Sequence, residues 1–372
     1  MKIKVSKQDL QAAMQVPDIC VAGSGSDLSA HFLFRIHDGA VQMLAYNQRV
    51  FGSAPVKCQF DGDEGAAFTV EGWRLRKWLA GVADAVLTFT KEDGGEVKAS
   101  APKSTIRMRS LDPSKFPFWD KSLGEAKAIT TINATRLASA LNYGGKFISD
   151  KDSTKPEIGQ VESLKGCIWA TDKKAVTLIS VKGLEDSNLR IHSKDISPVT
   201  KFLSYADDVE VLEHDRSLFL RRADGAVLGT SRPLAAFPKL GVDKDAVDDA
   251  EWEVKTADLT AAIKCLSASA DKDNTSVVFR YRKADNMVVL SVTSAAGGSD
   301  EYPIECTYER ESAKIPEDGF ELHYPYLETL IEHFKGDTLK FGVTKKDKGG
   351  FIRFLHAQEG DSFLTVVVWR NR

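Results

Sequence analysis

The sequence predicts an α+β fold made of three tandem copies of one unit, each with two helices and about eight short strands. Three observations carry that expectation. A strand-then-helix opening occurs three times, a second amphipathic helix follows it in every copy, and Phe116-Pro117 is matched one repeat later by Phe237-Pro238. A chain of 372 residues has room for two or three hydrophobic cores. The units are expected at 1–122, 126–245 and 250–372.

The opening reads the same way each time. Val5, Ile132 and Val254 end a strand, and each is followed five residues later by Leu10, Leu137 or Leu259. The helix cores then run Leu10, Ala13 and Met14; Leu137, Ala140 and Leu141; and Leu259, Ala262 and Ile263, the i, i+3, i+4 stripe of a helix with one buried face. The second helices read i, i+3, i+4, i+7. Their cores are Leu75, Trp78, Leu79 and Val82; Val199, Phe202, Leu203 and Ala206; and Leu327, Leu330, Ile331 and Phe334. One amphipathic helix says little; six in the same order define a repeat.

Strands fill the rest. Segments 32–36 and 41–44 flank Asp38-Gly39, a hairpin signal. Further strands are expected at 86–89, 106–108, 175–181, 209–212, 277–281, 287–292 and 364–369. The polar stretches 121–127 and 241–250 are the expected joints.

Composition narrows the function classes. Hydrophobic content of 42% with 28% charged residues is that of a globular chain, and no apolar run reaches the roughly 18 residues of a membrane span. Without an apolar leader after Met1, the expected location is the cytoplasm, bacterial or that of a phage host. Five scattered cysteines without a CxxC argue against a disulfide framework or a zinc site, so no cofactor or metal is expected. The net charge of -3 excludes a uniformly basic binder but leaves local basic faces open. No reactive constellation assembles. Gly23-Ser24-Gly25 lacks the third glycine of a dinucleotide loop, and Ser269 and Lys272 match SxxK without its companion motifs.

The helix faces turned from the core carry the binding argument. Stepping 100° per residue places Lys77 there, flanked by Arg74 and Arg76, with Trp73 beside it. The same face holds Ser197, Lys201 and Ser204 in the second copy, and Thr135, Ser139, Asn142 and Lys146 on its first helix. In the third copy it holds Ala257, Ala261 and Lys264, while Glu328 and Glu332 oppose the trend on the last helix. Small and hydroxyl residues with single lysines suit contact with phosphates that reads no bases. Lys151 and Lys155, with Lys272 at the matching place, extend this expectation to the loops after the first helices.

Order and spacing together resemble the bacterial β sliding clamp, the processivity subunit of the replicative DNA polymerase. The local matches are Ser110-Leu111-Asp112-Pro113 running into Phe116-Pro117, the Phe237-Pro238 junction and Thr365-Val366-Val367-Val368. The resemblance covers the whole chain and suggests a phage-encoded or otherwise distant member. It implies three DNA-clamp domains forming half of a closed ring, a homodimer around double-stranded DNA, and no catalysis. Its expected partners are a DNA polymerase and a clamp loader. It further implies a dimer contact in which Ile106 and Met108 pack near Cys265 and Leu266, and a partner-peptide pocket at Gly183, Leu184, Pro238, Val366, Val368 and Trp369. The chain departs from the family in its Arg370-Asn371-Arg372 end, which leaves less apolar surface for a peptide. The rival readings are a clamp-like scaffold or decoy that binds replication proteins without supporting synthesis, and an enzyme whose site only folding assembles.

Overall fold

The structure, a computed structural model, describes residues 1–23, 25, 27–83, 85–149, 155–238, 242, 248–268, 276–293, 298–311, 319–334, 336–346, 349–358 and 361–371. The first third runs β1 (Lys2–Ser6), α1 (Lys7–Met14), α2 (Pro17–Cys20), β2 (His31–His37), β3 (Ala40–Tyr46), β4 (Val50–Val56), β5 (Gln59–Asp61), β6 (Ala67–Glu71), α3 (Gly72–Gly81), β7 (Val86–Glu92), β8 (Glu96–Ala101) and β9 (Ser104–Arg109). After α4 (Asp120–Gly124), the second runs β10 (Lys127–Asn133), α5 (Ala134–Gly144), β11 (Gln160–Leu164), β12 (Cys167–Thr171), β13 (Ala175–Ser180), β14 (Arg190–His192), α6 (Ser193–Leu203), β15 (Asp208–His214), β16 (Ser217–Arg221) and β17 (Val227–Ser231). The last runs β18 (Ala250–Lys255), α7 (Thr256–Ser267), β19 (Ser276–Arg282), β20 (Met287–Thr293), β21 (Ser299–Glu311), β22 (Phe320–His323), α8 (Tyr324–His333), β23 (Thr338–Lys346), β24 (Gly349–Gln358) and β25 (Asp361–Asn371).

The periodicity finds its physical counterpart in burial. Every residue of the three first-helix stripes is at most 8% exposed. The second helices bury Leu75, Trp78, Leu79, Val199, Phe202, Leu203, Leu327 and Leu330, leaving Ala206 and Ile331 half-buried at the margins. Local chemistry starts and stops these elements. Ser6 caps α1 by accepting the Asp9 N–H at 3.0 Å, and its hydroxyl donates back to the Asp9 carboxylate at 2.5 Å. The Asp38-Gly39 turn takes positive φ at both residues, 53° and 69°, the primed geometry that matches strand twist.

Contacts gather the chain into two compact units, Met1–Ser139 with Leu189–Leu234, and Ala140–Asn188 with Ala235–Arg372. The first unit contains two sheets, ordered β5-β1-β7-β8-β9 and β10-β15-β16-β17-β4-β3-β2-β6. The second sheet crosses from one copy to the next by antiparallel pairing of β17 with β4. Its register sets Gly229 opposite Phe51, where a Cβ would stand 2.9 Å from the Phe219 ring and 3.1 Å from Trp119. The missing side chain leaves room for the Trp119 indole, which stacks on Phe51 at 5.5 Å and meets Phe219 edge-on. Arg49 reinforces the crossing. It donates to Asp195 at 2.9 and 3.1 Å, and the same carboxylate, buried at the start of α6, accepts from Thr230.

The second unit orders its strands β11-β12-β13-β25-β22-β19-β20-β21-β18-β23-β24, and β24 also pairs with β25. Here β13 receives β25, from Ala175 against Val367 to Ile179 against Phe363. The buried Tyr143 hydroxyl bonds Thr365 at 2.6 Å over this crossing. The 121–127 stretch, with Lys121, Gly124, Glu125 and Lys127 exposed, forms α4 and its exit, and Leu123 and Ala126 pack with Trp119 against Leu212, Phe219 and Val227. Most of 241–250 lies outside the described residues, but Asp248 is buried and bonds Thr344 and Arg353.

Candidate nucleic-acid interface

The outward helix faces differ in their chemistry. On α1 the exposed residues are Gln8, Gln11 and Ala12, with Gln15 just beyond, an amide face without a cation. On α3 they are Trp73, Lys77, Ala80 and the terminal Gly81. Arg74 and Arg76 stand on the shoulders of that helix and are engaged. Arg74 bonds Glu71 and the Arg107 carbonyl, each at 2.8 Å. Arg76 bonds Asp18 at 2.5 Å and lies over the Phe32 ring. The predicted basic trio therefore reduces to Lys77 as its available cation.

On α5 the exposed residues are Thr135 and Asn142, with Ser139 half-buried. Lys146, one turn beyond, is held by Glu332 of α8 at 2.5 Å. Ser197 and Lys201 are exposed on α6, with Ser204 exposed just beyond its end; Ala257 and Lys264 are exposed on α7, with Ala261 half-buried. Lys264 borders a shallow concavity with Thr256, Thr260 and Asp337. Glu328 and Glu332 are exposed on α8, as the sequence predicts. Among the described residues no acceptor reaches Lys77, Lys201 or Lys264. Lys155 is exposed, and Lys151 and Lys272 lie outside the described residues.

β9 pairs with β8 and ends its sheet. The Ser299–Glu305 half of β21 pairs with β20, and only the half beyond it pairs with β18. On β9 the side chain of Met108 is fully buried, so Arg107 and Arg109 stand on the opposite, exposed face. On β21 Ile304 is buried, which puts Glu301 and Glu305 on the exposed face. One edge is basic and the other acidic. α3 braces the basic edge, because the Trp78 indole donates to the Ser104 hydroxyl at 2.8 Å. Of the four residues expected at a chain–chain contact, Met108 and Leu266 are buried inside their own units and offer no side-chain surface. Ile106 is half-buried, and Cys265 is exposed.

The expected peptide pocket is rearranged. Leu184 is fully buried and Val366 is 5% exposed. Val366 packs with Leu178 and Leu364, and Trp169, Val176, Val242 and Phe351 close over them. Gly183, at φ 99°, donates its N–H to Glu185, and Pro238 is half-buried. The Trp369 side chain lies outside the described residues, and only its backbone pairing with Gly350 is defined. The open cleft is lined by Lys174, Ser276, Glu321, Leu322, His323, Tyr326 and Val368, so Val368 alone is shared with the expected set. The Tyr326 hydroxyl donates to Asp172 at 2.5 Å. Burial and that carboxylate push the phenol well above its ordinary range, while burial and Lys174 hold His323 below its own. Such a cleft offers one apolar wall and mixed charges, and can grip an extended peptide by polar contacts at its rim.

His37, Asp38 and Glu64 bring their ligand atoms within 4.8 Å of one another. The Glu64 carboxylate already accepts the Asp38 and Gly39 N–H groups, which accounts for its position as part of the turn.

Tandem strand–helix units whose sheets pass from one copy to the next define a clamp-fold chain. Solved chains that share this fold include bacterial DNA polymerase III β subunits. The Caulobacter crescentus pol III β and the Streptococcus pyogenes β subunit each superpose over the whole of both chains with a TM-score of 0.83 at 14% identity. The Thermotoga maritima β subunit matches over 100% of this chain and 99% of its own, with a TM-score of 0.80 at 18% identity. No model of a protein family matches the sequence, and no curated protein matches it. At such identities the likeness is one of fold.

Proposed function

We propose that this chain is a DNA sliding clamp, a non-catalytic cytoplasmic protein that closes as a homodimer around duplex DNA and tethers a DNA polymerase. The observation that carries the reading is the full-length likeness to polymerase III β subunits, at TM-scores from 0.78 to 0.83. The three copies would then be three clamp domains at 1–122, 126–245 and 250–372.

An internal pairing rule supports closure. The strand that ends one copy joins the fourth strand of the copy before it, β17 on β4 and β25 on β13. β9 is the corresponding strand of the first copy, and β21 is the corresponding fourth strand of the last. The rule leaves both for a second chain. Arg109 would meet Glu305 on one continuous sheet face, Arg107 and Glu301 would join on releasing Glu92 and Arg280, and both edges would be hidden with Ile106 and Cys265 nearby. The duplex would run along the helices, where Lys77, Lys201 and Lys264 supply screened attraction without base readout. Lys151, Lys155 and Lys272 remain proposed loop contacts, and Arg74, Arg76 and Lys146 would join only on releasing their acidic partners.

Partner peptides, from a polymerase or a clamp loader, would dock at the Lys174, His323 and Tyr326 cleft. Its polar rim favours a second reading, a clamp-like scaffold or decoy that holds replication proteins without supporting synthesis. Primer extension on a primed circular single strand separates the two. A clamp lengthens the products of its polymerase, a decoy shortens them, and a chain without effect on any replicative polymerase refutes both.

A further inference from the structure

Trp73 lies on the outward strip of α3. It is 45% exposed on α3, directly opposite the buried Leu75 and Leu79, and among the described residues no ring or hydrogen-bond partner holds it. Trp78, five residues on along the same helix, is buried and bonded to Ser104, so the two indoles play different parts. Lys77 lies one turn beyond Trp73 on the same exposed strip, Ala80 continues it, and the helix itself contains no acidic residue. The acids at its shoulders, Glu71 and Asp18, are taken by Arg74 and Arg76.

An indole and an ammonium one helical turn apart are the two groups that hold a single strand, one stacking on a base and the other meeting the neighbouring phosphate. Duplex DNA offers the phosphate but hides its base faces in the stack. We propose that Trp73 and Lys77 form a stacking post for unpaired bases. On duplex the post contributes only the lysine's screened attraction; where a strand is unpaired, Trp73 adds a base contact. The inference rests on the sliding-clamp reading and deepens it, because it makes a single-stranded gap, or a junction between single and double strand, the place where the ring lingers. The strip's positive charge, free of carboxylates, favours this polyanionic occupant over a second copy of the chain.

The test uses the full-length protein reassembled from dilute protomers onto two plasmid circles, one nicked and one carrying an oligo(dT) gap. Dwell time at the gap is followed by single-molecule tracking, and solution mass is measured for each variant. Wild type is expected to dwell about tenfold longer at the gap than on duplex. Trp73→Ala should lose that preference yet still enclose both circles, Trp73→Phe should keep part of it, and Lys77→Ala should weaken residence on both. Equal dwell times for wild type and Trp73→Ala on the gapped circle overturn the proposal while leaving the clamp reading intact. A Trp73→Ala chain that falls to monomers also overturns it, and assigns the indole to contact between chains. Failure of wild type to enclose either circle would instead sink the clamp reading.

Discussion

Glu332→Gln tests how the structure distributes its positive charge. Lys146 Nζ stands 2.5 Å from the Glu332 carboxylate, with the two side chains 48% and 64% exposed. A pair so open to solvent contributes about 0–1 kcal/mol, so its removal should leave the unfolding midpoint nearly unchanged. Its effect on DNA should be larger. A lysine committed to a carboxylate neutralises no phosphate, and Glu332 adds its own repulsion. The variant frees the first and removes the second. One added phosphate contact steepens the plot of log affinity against log salt by about 0.9, which makes the loss between about 50 and about 200 mM salt roughly 3.5-fold greater. Anisotropy of a labelled linear duplex, titrated across that range, measures the slope. Lys146→Ala alone should change it little, and adding Lys146→Ala to Glu332→Gln should abolish the gain. A slope for Glu332→Gln equal to that of wild type, in a protein that unfolds normally, refutes this reasoning.

Other expectations follow from the junctions and edges. Arg109→Glu and Glu305→Arg should each weaken self-association by about tenfold and restore part of it when combined, read by sedimentation equilibrium; independent, additive losses would count against a contact between these edges. Arg49→Ala should destabilise by about 3 kcal/mol, because it strands the buried Asp195 carboxylate with Thr230 alone. Asp195→Ala should be milder, about 2 kcal/mol, since the 40% exposed Arg49 rehydrates; urea unfolding that reverses this order would contradict the account of the crossing. Arg35 holds Asp120 below its ordinary value of 3.8, so the pair's stabilisation is present above that pH and is lost as pH falls through the lowered value. Asp120→Asn should therefore be less stable at neutral pH and lose less on acidification, in acid titrations followed by circular dichroism.

Much of the fold was legible in the sequence, for a physical reason. A helix on a sheet must bury one face, so Leu10, Leu137 and Leu259 with their i+3 and i+4 neighbours mark the same structural position three times, and all are buried. The Asp38-Gly39 turn was legible because few residue pairs accept positive φ twice. Charge partners were not. Periodicity gives the face on which Lys146 stands but not that Glu332, 186 residues away, shares its space. Likewise Arg76 meets Asp18 across 58 residues, and Tyr326 meets Asp172 across 154. The cleft escaped for the same reason, since its lining comes from β13's entry turn, β19, β22, the start of α8 and β25. Trp119 escaped because a polar joint gives no hint that a glycine on β17 leaves room for an indole. Met108 and Leu266 were expected at a contact between chains, but strand alternation and the helix stripe turn both inward.

Linearising a plasmid after the protein has assembled on it reads topology without reference to affinity. Protomers reassembled on a nicked circle should stay with the DNA through gel filtration in high salt, then leave once a single restriction cut provides ends. Release in high salt from the intact circle, or retention unchanged by the cut, would mean that this chain grips DNA by contact instead of encircling it.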